Sequence, residues 1–303
     1  MAANTRDIRR RIKSVKNTAQ ITKAMQMVAA SKMRRAQMAA IASRPYAEEL
    51  ARLLSPFAGL DADDESFAHP LLSEREGGRT LVLMISTDKG LCGALNTNLF
   101  REVVQFDPET TDFVCVGKKG MQFLVRAKRN VIAEFELKDG FSYFDSEAVA
   151  KFCMDQFLAG KANRIKVLYT DFVNTLTQRP STRGVVPVQS FEVGNVDLGE
   201  SSLGAQVPTR VGGQDVEPKE YILEPNRTDF LASLLPHFVF FKVYHFILEA
   251  RASEHSARMV AMKNATDNAK QLIRDLTLEY NKIRQASITT EILEIATAQM
   301  VLS

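Results

Sequence analysis

A chain of 303 residues that is 45% hydrophobic can bury a sizeable core in one or two domains. Its formal charge of +3 is too small to define a partner. Cys92, Cys115 and Cys153 are far apart, odd in number and without CxxC or metal-ligand spacing, which argues against a disulfide framework and points to free thiols in a reducing compartment.

The first predicted element is a helix over about residues 5–57, inside an N-terminal segment of 1–58. Ile12, Val15, Ala19, Thr22, Gln26, Ala29, Met33, Ala36, Ala40 and Ser43 recur at steps of three and four, the seam of a coiled coil. Small seam residues let two helix axes approach closely but bury little area each, so stability has to come from length. Pro45 and Pro56 are expected to punctuate the end. Before residue 48 the helix carries Arg6, Arg9, Arg10, Arg11, Lys13, Lys16, Lys23, Lys32, Arg34, Arg35 and Arg44 against Asp7 alone, a face that seeks something acidic. Its charged opening reads straight into the helical pattern, so no secretory signal is expected.

A polar linker at 59–79 leads to a central domain at 80–227. There "TLVLMIS" (80–86), "DFVCVG" (112–117), "RIKVLYT" (164–170) and "VVPVQSFEV" (185–193) read as strands. "ALNTNLFREVVQF", "KKGMQFLVRA" and "DSEAVAKFCMDQFLA" read as the helices between them, so a small, largely parallel sheet covered by helices is predicted. A Gly-rich loop near 194–219 leaves this domain.

The last element is a helix over 228–303. Ala252, His255, Met259, Met262, Thr266, Ala269, Ile273, Leu276, Tyr280, Ile283 and Ser287 form its stripe, and "FVFFKVYHFIL" within it is broken by Lys242 and His245 and too short to span a bilayer. At 1.5 Å per residue the two terminal helices would measure roughly 75 Å and 105 Å. Neither stripe can stay wet, so antiparallel pairing is predicted. Starting it with Ser43 near Phe241 sets Ile12 against Ile273, Ala19 against Thr266, and Gln26 against Met259. In that register the helix beyond Arg284 runs on alone, with an apolar stripe of Ile288, Ile292 and Ile295 that needs a socket. The fold class is α/β: a long antiparallel coiled coil of N- and C-terminal helices plus a small Rossmann-like, largely parallel domain.

Catalytic motifs are weak. "STDKGLCGALN" (86–96) follows a strand and opens a helix, but Gly90 and Gly93 give only GxxG, short of a dinucleotide fingerprint or a P-loop. His69, His237, His245 and His255 sit on unrelated segments without HExxH, and no His or acid stands at a recognisable spacing from Cys92. The chain is therefore predicted not to be an enzyme by itself, with no cofactor and no metal. Two alternatives are a basic coiled-coil nucleic-acid binder, whose affinity would fall steeply with salt, and a dinucleotide-dependent enzyme using the central domain.

Residues 5–37, "TRDIRRRIKSVKNTAQITKAMQMVAASKMRRAQ", and 257–295, "ARMVAMKNATDNAKQLIRDLTLEYNKIRQASITTEILEI", with "STDKGLCGALN" between them, closely resemble the gamma subunit of the rotary F-type ATP synthase. The resemblance covers nearly the whole chain in the right order. It implies a central-stalk rotor, partnered by the alpha, beta, epsilon and delta subunits and the c-subunit ring. Catalysis would stay in beta, no nucleic acid would be bound, and the membrane would be reached only through the complex.

By the same resemblance Met25 corresponds to a methionine that governs coupling efficiency, near Arg258. Arg284, Gln285, Thr289 and Glu291 correspond to residues that engage a catch loop of beta, and Lys89 with Cys92 to a segment near an acidic loop of beta. Tyr221 and Glu224 correspond to contacts with the c ring. The absence of cysteine after Cys153 departs from the photosynthetic members, which carry a regulatory cysteine pair there, and a bacterial assembly on the cytoplasmic side of the inner membrane is expected.

Overall fold

The computed structural model describes residues 2–54, 69–75, 77–138, 140–188 and 226–302. Along the chain run α1 (Ala2–Leu54), β1 (Thr80–Ile85), α2 (Leu95–Val104), β2 (Thr111–Val116), α3 (Lys118–Arg126), β3 (Asn130–Phe135), α4 (Tyr143–Leu158), β4 (Arg164–Phe172), β5 (Gln178–Val186) and α5 (Arg227–Leu302). They form two compact units: Met1–Ala30 with Arg258–Ser303, and Ser31–Ala257.

In the first unit α1 and α5 pack antiparallel along the predicted stripes. Thr22 and Ala29 on one side and Met262, Thr266, Ala269 and Leu276 on the other are buried. Two polar contacts fix the register. The Thr22 and Thr266 hydroxyls lie 2.7 Å apart, and Arg9 donates to the Tyr280 hydroxyl at 2.8 Å with its guanidinium 5.5 Å from the ring centroid. Thr22, not Ala19, therefore faces Thr266, and the predicted pairing is corrected by about one helical turn. This register sets Val15 across from Ile273 and Ala19 across from Ala269.

In the second unit a five-stranded sheet has the order β3-β2-β1-β4-β5. The first four strands pair in parallel, and β5 pairs antiparallel with β4. Alternation along β1 shows how both faces are covered. Leu81, Leu83 and Ile85 join Val149, Cys153 and Phe157 of α4, Leu50 and Leu54 of α1, and Leu235, Phe238 and Phe246 of α5. Val82 and Met84 point the other way, to Leu99 and Val103 of α2 and Leu124 of α3. Burial pushes the Cys115 and Cys153 thiols up to about 12, so both stay protonated and inert.

Three sequence expectations are corrected here. The last strand among the described residues lies at Gln178–Val186, starting earlier than the expected 185–193, of which 189–193 lie outside the described residues, and β3 is a strand that the sequence reading passed over. Both are sheet edges with half-exposed residues, so neither shows a continuous apolar run. Pro45 sits inside α1 instead of ending it. An interior proline costs about 3 kcal/mol, whereas burying each large apolar side chain returns roughly 1.5–3 kcal/mol. Leu50 at 3% and Leu54 at 0% exposure, with Ala47 behind them, outweigh the break.

By length and composition alone α5 could cross a membrane. Its apolar segment is instead the core helix of the second unit, where Phe238, Val239, Phe241, Val243, Phe246 and Ile247 are all buried. Tyr46 of α1 packs its ring, tilted, at 4.9 Å from that of Phe241 and hydrogen-bonds His237, holding the two helices together at the domain.

Helix α4 starts with a capping box: the Ser142 hydroxyl accepts from the Asp145 amide, and the Asp145 carboxylate accepts from the Ser142 amide at 2.7 Å. These bonds hold Asp145 below the usual carboxylate range. Ser142→Ala should lower stability by about 1 kcal/mol, read as a reduced urea midpoint at unchanged slope; an unchanged midpoint would show that the cap contributes nothing.

Candidate functional site

The motif at 86–96 folds as a closed turn. The Thr87 hydroxyl donates to the Lys89 carbonyl at 2.9 Å, and Asn96 Nδ2 donates to the Thr87 hydroxyl at 2.7 Å. Next to it lies the start of α3, a helix N-terminus whose first amides could in principle hold a phosphate. Here they are already engaged: Lys118 N–H donates to Asp88 Oδ1 at 3.2 Å, Lys119 N–H to the Thr87 carbonyl at 3.0 Å, and Gly120 N–H to the Ser86 hydroxyl at 2.9 Å. A phosphate at this helix start would have to displace a carboxylate and two fixed oxygens.

Asp88 has a second task. Its Oδ2 lies 3.3 Å from Nη2 of Arg251, a buried arginine on α5 whose Nη1 pairs with Glu254 at 2.9 Å and whose Nη2 donates to the Leu137 carbonyl at 2.7 Å. The sequence reading passed over Arg251, because a lone arginine on a helix reads as a solvated residue. The signal lay in its neighbours, since "FILEARASEHS" sets Arg251 between Glu249 and Glu254 within a mostly small and apolar run.

The predicted site residues fall into separate groups. Met25 is half-buried on α1, and Arg258 is half-buried on α5 within the same unit. With the register shifted by a turn, Met25 lies across from the turn after Arg258 instead of beside it. Lys89 is exposed in the β1–α2 turn, while Cys92 is 3% exposed and turned inward, near Asn96 Nδ2. The surface this turn offers is therefore Lys89, Gly90 and Leu91, the last 62% exposed. Arg284, Gln285, Thr289 and Glu291 are exposed together on the last turns of α5, among Ile288, Ile292, Leu293 and Ile295, which are 43–65% exposed. Tyr221 and Glu224, with the Gly-rich loop near 194–219, lie outside the described residues.

The outer surface of α1 in the first unit combines exposed cations with a few exposed apolar side chains, of which Met27 is the deformable one. Arg6, Arg10, Arg11, Lys13, Lys16 and Lys23 are exposed, as are Ile21, Met27 and Val28. Such a surface offers long-range attraction and little relief for interlocking.

Residues 4–302 match the family model described as ATP synthase. Over 297 residues the chain is 46% identical to the ATP synthase gamma chain of Opitutus terrae, covering 98% of each chain. Among solved structures, a chain of the Euglena gracilis mitochondrial ATP synthase assembly of OSCP, F1 and c-ring in rotational state 3 superposes with a TM-score of 0.67 at 18% identity, covering 100% of this chain and 95% of that one. A chain of the Tetrahymena thermophila mitochondrial ATP synthase central stalk and c-ring gives 0.57 at 23% identity, with 81% and 99% covered.

Proposed function

This chain belongs to the ATP synthase gamma-chain family, the central stalk of that complex, and we propose that it carries torque between a proton-driven c ring and a catalytic alpha/beta hexamer. It is part of an F1/c-ring assembly, peripheral to the membrane, and the catalytic sites lie in the beta subunits. In the finer reading its partners are alpha, beta, epsilon and delta with the c ring, and its place is the cytoplasmic side of a bacterial inner membrane. The observation that carries this reading is the pairing of α1 with α5 and the exposed apolar end of α5, which asks for a socket in another protein.

A shaft has to be guided by its surroundings without locking at any one of three equivalent angles. Coulomb energy for an exposed pair is about 1 kcal/mol at 4 Å in water and is screened beyond roughly 10 Å. The cations of α1 facing acidic residues of beta would therefore bias the angle without freezing it. On this reading Met25 and Arg258 belong to the coupling region and Lys89 with its turn to the contact with an acidic loop of beta. Arg284, Gln285, Thr289 and Glu291 engage the catch loop, and Tyr221 and Glu224 touch the c ring.

Tagged protein should co-purify with alpha, beta and epsilon in a complex with ATPase activity; a chain that purifies without them would overturn the reading. Met25→Lys adds a cation to the guided surface. A new exposed pair of about 1 kcal/mol shifts a two-state balance roughly fivefold, enough to lower the protons pumped per ATP hydrolysed. Unchanged pumping per ATP would remove Met25 from the coupling region.

A further inference from the structure

Helix α5 is gripped at one place in the second unit by the turns at the carboxyl ends of three strands. After β1, Asp88 holds Arg251 at 3.3 Å; after β3, the Leu137 carbonyl accepts from the same guanidinium at 2.7 Å; after β4, the Thr175 carbonyl accepts from Ser256 at 2.8 Å. Gln178 Nε2 closes the ring of contacts, donating to the Ser256 hydroxyl at 3.4 Å and to the Asn174 and Thr175 carbonyls at 3.1 Å each. Asp88 is itself fixed by the Lys118 amide at the start of α3, so the guanidinium is tied to two separate parts of the sheet rim. Arg251, Glu254 and Ser256 are buried at 5%, 5% and 0% exposure.

This is the crevice outside the carboxyl ends of the strands. The sheet order places its switch point between β1 and β4, where open α/β sheets ordinarily receive a ligand. In this protein a turn of its own C-terminal helix occupies the place. Apolar packing along a helix resists separation and large rolling through ridges seated in grooves, but its contacts are individually weak and non-directional, so small angular displacements cost little. Directional, desolvated hydrogen bonds do not slide.

We propose that Arg251 and Ser256, held by Asp88, Leu137 and Thr175, form a torsional key that stops α5 from turning within the α/β domain, so that a rotation imposed on the domain passes into the shaft. This rests on the rotor reading above, and Arg251 acts in it as a positioning residue. Leu276 and the seam would hold the shaft together in its absence, but the domain would slip against α5.

The test uses the assembled complex with the hexamer immobilised and a bead on an exposed cysteine introduced at Lys161; the native cysteines are all buried. The width of the thermal angular fluctuation of the bead reads the torsional compliance between domain and hexamer. R251M keeps the packed stem and removes the forked donors, and should widen the angular variance about twofold. D88N, which retains a hydrogen-bond acceptor for Lys118, should widen it less, and R251K should restore part of the stiffness. Asp107→Ala, which removes the bonds from the Thr110 hydroxyl and the Glu109 amide in the turn before β2, at the other end of the sheet from the grip, should leave the variance unchanged. Unchanged variance in R251M, or in D88N should R251M not assemble, overturns the key. A wild-type chain that does not assemble or rotate overturns the rotor reading itself, a distinct outcome.

Discussion

Ending the chain before Tyr280 should abolish incorporation into the complex, whereas ending it after Thr297 should leave assembly largely intact. The difference follows from where pairing stops. Tyr280 takes the Arg9 hydrogen bond and lies under its guanidinium, and Ile8, one residue away, is 5% exposed. Removing Tyr280 and everything after it uncovers Ile8, at roughly 1.5–3 kcal/mol for a buried residue of that size. It also deletes Arg284, Gln285, Thr289 and Glu291 together with the apolar residues that need a socket. The residues after Thr297 lie beyond the last turns that α1 can reach in the observed register, since Ala2 is the first helical residue of α1. Pull-down of alpha and beta by tagged truncations distinguishes the two cases. Equal recovery for both truncations would reject the picture of a paired shaft with a lone tip.

Gly117→Ala should destabilise the α/β domain by about 3 kcal/mol or more, a drop of roughly 5–10 °C in Tm for a protein of this size. Gly117 joins β2 to α3 at φ +100 and ψ 136, a conformation that side-chain-bearing residues rarely adopt. A Cβ there would sit 2.4 Å from the Ser86 carbonyl oxygen and 2.9 Å from its carbon, which is backbone and cannot rotate away. Ser86 in turn is fixed by its amide bond to the Val116 carbonyl at 2.8 Å. Relief would have to separate β1 from β2 and shift the Thr87–Asp88 segment that seals the start of α3. Gly90→Ala is the control, because no atom lies within 4 Å of its Cβ position and its φ is ordinary. A thermal melt in which Gly117→Ala and Gly90→Ala behave alike would contradict the close approach.

The long helices and the buried strands were legible because burial leaves a periodic mark. Thr22, Ala29, Met262, Thr266 and Leu276 stand on the stripes read from spacing, and β1, β2 and β4 each contain a continuous buried run rich in Val, Leu and Phe. Register was not legible to within a turn. Both seams repeat with the same period, and the α1 seam is made mostly of small residues that bury little area each, so apolar spacing alone discriminates weakly between registers one turn apart. The choice is made by the Thr22–Thr266 and Arg9–Tyr280 contacts and by Tyr46 on Phe241, which only the structure brings together.

The edge strands escaped for the opposite reason. In β5, Arg179, Thr182 and Arg183 are exposed beside a strand neighbour on one side only, and the pattern resembles a loop. The exposed apolar end of α5 is legible in the change of apolar phase at Ile288, whereas Arg284, Gln285, Thr289 and Glu291 are singled out only by the family resemblance. Cys92 shows the limit of motif reading, since its segment is exposed while its thiol is turned inward. The grip on Arg251 comes from three segments far apart in sequence, and no spacing rule could have joined them.

The central claim is that two stretches at opposite ends of the sequence form one shaft. Thr18 and Lys270 are exposed positions that the observed register sets across from each other. Nitroxides placed there in the assembled complex should show strong dipolar coupling, at a separation set by the roughly 8–10 Å spacing of packed helix axes plus the label arms. Labels that lie many tens of ångströms apart, with no coupling, would contradict it.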